Sequence, residues 1–326
     1  MERIRRWVSM GRGWVMAALL LGPLVAIAAD GAAPVKIRIA YPSGMNGQIP
    51  VVMERAAIAK KHGLDAEFVF FQYGPPMMEA LASGHIDAVV TSLMPVTTFL
   101  SRQPNAAVVV ASLGRSSYSL MVPKDSGARS VEDLKGKRIA VSFNSDSHLD
   151  LLRLLKQRKL DAKNEVKLLN VQPNELVYTL SEGFAEAIVI RQPQVLKVQQ
   201  QFGARVIHTW PFEFVSIMRS AYLAQNPQAL KRYRAALRDS IHYVATHKEQ
   251  ASVWFGEKLR IEPEVVRRVS EDDPNYRSVK ALRDVSIDLT PDVRRRVTDW
   301  FEASYEHGMV KTRVDPSQAR IFADGR

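Results

Sequence analysis

The chain of 326 residues contains no cysteine. It therefore has no disulfide, no thiolate metal site and no thiol nucleophile. A chain of this length buries enough surface to be stable without such staples, even in an oxidising compartment. It has no G-x-S-x-G turn and no H-E-x-x-H helix, so two common hydrolase signatures are missing. Aromatic residues are sparse, at 8%. Long apolar runs are also absent, with one exception at the N-terminus.

That exception begins with "MERIRRWVSMGRG", carrying Arg3, Arg5, Arg6 and Arg12. The apolar stretch Trp14–Ala29 follows, with the small residues Ala26 and Ala28 flanking Ile27. A basic head, a short apolar centre and a small-residue exit are the marks of a secretory signal, here assigned to residues 1–28. The stretch is shorter than the ~20 residues that span a bilayer. No cysteine follows it to accept a lipid, so the mature protein is expected in the periplasm, soluble and not a lipoprotein. Arg5-Arg6 leaves open the choice between general and twin-arginine export.

Removing residues 1–28 takes away four Arg and one Glu and lowers the formal charge from +11 to +8. The remaining basic residues are spread along the chain, and export removes the opportunity for nucleic acid, which is not expected as a partner. A surface favourable to anionic solutes is the economical reading.

The mature chain alternates strands and helices. Strand patterns occur at 35–41, 66–73, 86–92 and 106–113, with helical stretches at 50–62 and over "PPMMEALASG". The alternation resumes after Asp125, with strand patterns ending at Val141 and covering 165–171, 186–190 and 204–210, and a helix over 149–159. Such spacing indicates βαβ units and largely parallel sheets. From Pro227 onward the pattern is helical; Leu230, Tyr233, Leu237, Ile241 and Val244 recur at three and four. Thr290-Pro291-Asp292 reads as a helix start.

Two stretches echo one another. "MEALASGHIDAVVTSLMPV" (78–96) and "VYTLSEGFAEAIVIRQPQV" (177–195) align without gaps, placing Gly84 on Gly183 and Ala88 on Ala187. Two lobes built on one plan account for this.

The ordered set "ALASGHIDAVVTSLMP", "DSGARSVEDLKGKRIAV", "SHLDLLRLL" and "GFAEAIVIRQP…GARVI" resembles the nitrate/sulfonate/taurine family of periplasmic ABC-transporter substrate-binding proteins. The resemblance runs from about Ile37 to Val310. It implies a two-lobed α/β periplasmic-binding-protein fold of type II. Each lobe would be a mainly parallel sheet flanked by helices, the two joined by crossover strands near Ser119–Lys124 and Phe214–Met218. Lobe one would comprise 35–120 plus 219–326, and lobe two 121–215. The implied function is non-catalytic capture of a small organic anion or zwitterion, sulfonate-like or carboxylate, and its delivery by a monomeric receptor to an inner-membrane ABC permease. No cofactor or metal is expected. Two alternatives are an enzyme of the thiamine-pyrimidine-synthase branch and a ligand-sensing periplasmic subunit.

Ligands of open parallel sheets bind beyond the carboxyl ends of strands. The loops there nominate Met45, Asn46 and Gln48 in lobe one and Asn144, Ser145, Asp146, Ser147 and His148 in lobe two. The ends of the echoed strands nominate Thr91, Ser92, Arg191 and Gln192. The planar fork of Arg191 suits a carboxylate or sulfonate. The family often carries a glycine before the serine of the lobe-two turn and a tryptophan near position 191, where this chain has Asn144 and Arg191. Asp146 could face solvent, pair with Arg191 or receive a cationic group of a zwitterion. Ser145 or Ser147 also suits a helix cap. Tyr73, Tyr118 and Phe212 are candidate cleft aromatics. His242 and His247 fall on different helix faces and read as structural, and "EDD" (271–273) lacks the alternation of a calcium loop.

Overall fold

The structure is a computed structural model that describes residues 33–315 and 320–323. The signal expected at 1–28 lies outside these residues. Eight strands form one mixed sheet: β1 Val35–Tyr41, β2 Leu64–Phe70, β3 Ala88–Ser92, β4 Ala107–Val122, β5 Arg138–Val141, β6 Lys167–Asn170, β7 Ala187–Arg191 and β8 Arg205–Arg219. Their order is β2-β1-β3-β8-β4-β7-β5-β6. β1 runs parallel to β2 and β3, and β5 parallel to β6 and β7. The two triplets are thus built alike. This is the expected α/β architecture.

Between the triplets, β4 and β8 pair antiparallel from Ala107–Arg219 to Val122–Arg205. β8 borders β3 at one end of this ribbon, and β4 borders β7 at the other. Each strand joins two stretches read separately, 106–113 with the crossover near Ser119–Lys124 in β4 and 204–210 with the crossover near Phe214–Met218 in β8. Their middle passes through Gly114-Arg115-Ser116-Ser117 and Pro211, residues of low strand propensity that hid the continuation. There Gly114 adopts φ +96°, and the Asn275 amide packs against it, accepting from Arg115 N at 3.0 Å and donating to Arg115 O at 2.7 Å. A side chain at 114 would collide with that amide and strain the backbone.

The internal echo has a structural basis. Arg38 donates to Asp87 through its backbone N–H (3.0 Å), Nε (2.9 Å) and Nη2 (2.8 Å), and Nη2 also reaches Gly84 O at 2.7 Å. Arg138 makes the same four contacts to Glu186 and Gly183 O, at 2.8, 3.1, 2.7 and 3.0 Å. Each clamp ties the first strand of its triplet to the turn before the third. Arg38-Ile39-Ala40 and Arg138-Ile139-Ala140 are therefore a second repeat.

The helix expected over 50–62 is divided into Gln48–Arg55 and Ile58–Lys61, with Ala57 left-handed at φ 53°. A helix over Leu93–Arg102, which the sequence reading lacked, starts directly at the end of β3 with Pro95 in its first turn. The C-terminal region is helical as expected: Ala229–Thr246 buries Tyr233, Leu237, Ile241 and Val244, and Thr290 caps Pro291–Glu306 by accepting from Val293 N. Among the described residues no helix is long and apolar enough to cross a membrane.

Candidate functional site

β1, β3, β5 and β7 all end on one cavity of about 570 Å³. Lining residues come from both triplets, and four strand–helix corners meet there, as the rule for parallel sheets requires. The corner after β5 is built by capping. Asn144 takes the left-handed conformation at φ 58°, and its N–H donates to His148 Nδ1 at 3.4 Å. Ser145 Oγ accepts from His148 N at 3.3 Å and caps the helix Asp146–Gln157. Ser145 also donates to Ser142 O and lies 2.8 Å from Ser147 Oγ. Capping and cavity lining thus coincide in Ser145.

Asp146 is 1% exposed. It crosses to the other triplet. Ser92 Oγ donates to Oδ2 at 2.5 Å, and the N–H groups of Leu93 and Met94 each donate to Oδ1 at 3.0 Å. These are orphan donors at the start of Leu93–Arg102, where a carboxylate is favoured. Of the three settings considered for Asp146, it takes neither solvent nor an ion pair with Arg191, and its acceptors are committed to a helix start. That helix was not read from the sequence, so its donors were missed. Burial pushes the Asp146 carboxyl upward, while the Ser92 and Met94 bonds and the Arg191 charge oppose the shift.

Arg191 crosses in the opposite direction. A Cβ on Gly44 would lie 2.6 Å from Arg191 Cζ, so the guanidinium rests on the bare backbone of the loop after β1. Each loop therefore meets the strand end of the other triplet: Gly44 beneath Arg191, Asp146 on Ser92. Among the described residues no carboxylate lies within 4 Å of the Arg191 guanidinium. The Tyr118 ring lies nearby; burial pushes its hydroxyl well up, and Arg191 works against the shift.

Thr91, Ser92, Asn144, Ser145, Asp146, Ser147 and Arg191 line the cavity. The other nominated residues do not. Met45 and Asn46 fall in a 3₁₀ turn, Met45–Gly47, that turns both side chains inward, each 1% exposed. Gln48 is fully buried and accepts from Ser270 Oγ at 3.2 Å. The Gln192 side chain accepts from Leu196 N at 3.2 Å and so serves the helix Gln194–Phe202. His148 stacks on Phe143 at 4.3 Å, and burial lowers its pKa to about 4, leaving the ring neutral at pH 7. It supplies no charge to an anion. Of the candidate aromatics, Tyr73 and Tyr118 line the cavity, whereas Phe212 lies behind Tyr118 at 4.3 Å.

The sequence profile of the NMT1/THI5-like family matches residues 59–251. The chain belongs to this family. The taurine-binding periplasmic protein of Escherichia coli is 26% identical over 68% of this chain and 70% of its own length. The periplasmic aliphatic sulphonate binding protein SsuA from Escherichia coli matches with a TM-score of 0.73 at 21% identity, covering 89% of this chain and 98% of that one. The nitrate-binding protein NrtA from Synechocystis PCC 6803 matches with 0.70 at 15%, covering 86% and 83%. These likenesses establish the fold.

In this NMT1/THI5-like chain the cavity also has walls that sequence reasoning missed. Ser43 and Gln72 bring polar atoms, Phe70 and Phe143 bring rings, and Lys258 and Arg260 stand exposed at the rim. Lys258 Nζ lies 5.2 Å from the Phe70 ring centroid, a cation–π contact. The two rim cations sit at the end of the helix Lys248–Leu259, far in sequence from the Phe70 ring that Lys258 faces. No local pattern links them to it. Among the described residues no group of three or more His, Asp or Glu is placed to hold a metal ion.

Proposed function

We propose that this protein is an extracytoplasmic solute receptor that captures a small organic anion in the cavity and delivers it to an ABC permease in the inner membrane. The carrying observation is Arg191: a guanidinium at a strand end, facing a cavity walled from both triplets, with no carboxylate within 4 Å among the described residues. The taurine- and sulfonate-binding names of the relatives support the same reading, as does the signal-like N-terminus. The two lobes are residues 35–120 plus 219–326 and residues 121–215, and capture proceeds by their closure about the β4–β8 ribbon. The Asp146–Ser92 and Arg191–Gly44 contacts both span these lobes and would form on closure.

A thermal-shift panel of sulfonates, aromatic carboxylates, aminosulfonates and pyrimidines on the mature chain tests the reading, since cargo stabilises the folded state by mass action. One class is expected to raise the melting temperature. Arg191→Ala is expected to abolish that rise while leaving the unliganded melting temperature within a degree or so. A silent panel joined to steady turnover of any candidate overturns the receptor reading in favour of an enzyme.

A further inference from the structure

The cavity has an asymmetry of charge. Arg191, Lys258 and Arg260 are its cationic lining residues, and Asp146 is its sole lining carboxylate among the described residues. Asp146 is not available to a cargo. Its two oxygens hold three donors, from Ser92, Leu93 and Met94, and it is 1% exposed. A cargo ammonium placed in the cavity would therefore find no anionic partner and would face three cations. Burying a charge without a partner is costly.

The same carboxylate fills one polar feature of the cavity. The start of Leu93–Arg102, with the Ser92 hydroxyl beside it, presents three donors to an oxyanion, and the Asp146 carboxyl sits on them. A cargo oxyanion has to be held elsewhere, and Arg191 is the cation that enters the cavity from a strand end. Size points the same way. About 570 Å³ lies inside the range of roughly 300–1000 Å³ found for pockets that enclose organic ligands of drug-like size. A bare oxyanion would leave most of it to water. Phe70, Tyr73, Met77, Pro95 and Leu176 offer apolar wall for the remainder of a larger cargo.

We infer that Asp146 sets the cargo class: it occupies the helix-start anion seat from within the chain and offers nothing to a cation. The cargo is then a bulky anion with an uncharged, apolar and preferably aromatic body, held by its charge on Arg191. Aminosulfonates, other zwitterions and bare oxyanions are rejected. This rests on the receptor reading and narrows it.

Calorimetric titration of the mature chain with 4-ethylbenzenesulfonate and with its near-isostere 4-(aminomethyl)benzenesulfonate tests the inference, alongside taurine and sulfate. The ethyl compound is expected to bind and the ammonium compound to bind at least about tenfold more weakly, the penalty of a buried charge left unpaired. Taurine and sulfate in large excess are expected to leave the binding of the ethyl compound unchanged. If the zwitterion binds as well as its isostere or better, or if taurine or sulfate displaces the ethyl compound, the cargo class assigned here is overturned while the receptor reading stands. If none of these probes binds and the wider panel is silent too, both fail. Asp146→Ala vacates the helix start, so sulfate is expected to raise the melting temperature of this variant more than that of the parent chain. An equal rise in both removes Asp146 from the role. Should the variant not fold, the isosteric pair on the parent chain decides alone.

Discussion

In the first triplet Arg38 closes on an Asp87 side chain that is 4% exposed; in the second, Arg138 closes on a Glu186 side chain that is 38% exposed. The hydrogen bonds correspond one to one, yet the surroundings differ. Asp87 also accepts from Arg219 Nη2 at 3.0 Å, the last residue of β8, so its clamp is fastened to the central ribbon. Glu186 has no such second arginine among the described contacts and reaches solvent. One geometry thus works at two depths, and depth governs its energetic weight.

The largest test of this comparison is removal of each carboxylate. Asp87→Ala leaves Arg38 and Arg219 without their shared partner, and Arg219 Nε is already a buried donor with none. Urea melts are expected to show a loss of about 3 kcal/mol. Glu186→Ala is expected to lose about 1 kcal/mol or less, solvent having already screened the pair. Equal losses would mean that depth does not separate the clamps.

Acid sharpens the contrast and brings in a carboxylate of opposite behaviour. Bonds from Arg138 hold Glu186 down to about 2 from 4.5. A depressed carboxyl contributes stability above its unfolded value and loses it as pH falls, here between about 4.5 and 2. Asp150 runs the other way. Burial first, and the Asp146 charge second, raise it from 3.8 to about 7, and its Oδ2 has no partner. The folded chain therefore holds a proton that the unfolded chain releases, so stability falls as pH rises from about 4 to 7. Asp150→Asn is expected to add about 2 kcal/mol at pH 8 and to flatten that slope in melts across pH. A variant no more stable than the parent at pH 8 would show that Arg153, whose Nη1 lies 3.7 Å from Asp150 Oδ1, already compensates the charge.

The smallest effect concerns the loops. Gly44→Ala places a methyl where the Arg191 guanidinium rests. At φ −79° the backbone at Gly44 tolerates alanine, so the melting temperature should barely move. Cargo affinity is expected to fall about tenfold as Arg191 is pushed aside, a loss of about 1.4 kcal/mol. Unchanged affinity would mean that Arg191 adjusts without cost.

Much of the fold was legible because the strands of both triplets are short runs between helical stretches, and because the echo at 78–96 and 177–195 is written in a glycine and an acid–alanine pair. The arginines that complete each clamp were not legible as such, since they lie about fifty residues upstream in strands read only for their apolar alternation. The site was half visible. Strand ends identified Ser92, Ser145 and Arg191, but strand ends do not say which way a loop side chain turns. A 3₁₀ turn took Met45 and Asn46 inward, and a cap took Gln192. The setting of Asp146 was hidden for a different reason: its donors belong to a helix whose N-cap, Ser92, was read only as the end of a strand, and whose first residues, Leu93, Met94 and Pro95, prolong the apolar run of β3.

The reciprocal crossing of the two loops, each resting on the far strand end, has a last consequence. A pocket framed by duplicated backbone would by itself let an elongated guest enter in either of two senses, head first or tail first. Here the duplicated frame carries unlike side chains, glycine against asparagine and serine against arginine at matched positions. Polarity of the guest is thus written in a few substitutions on a frame that is indifferent to it, and a descendant could reverse that polarity without altering its fold.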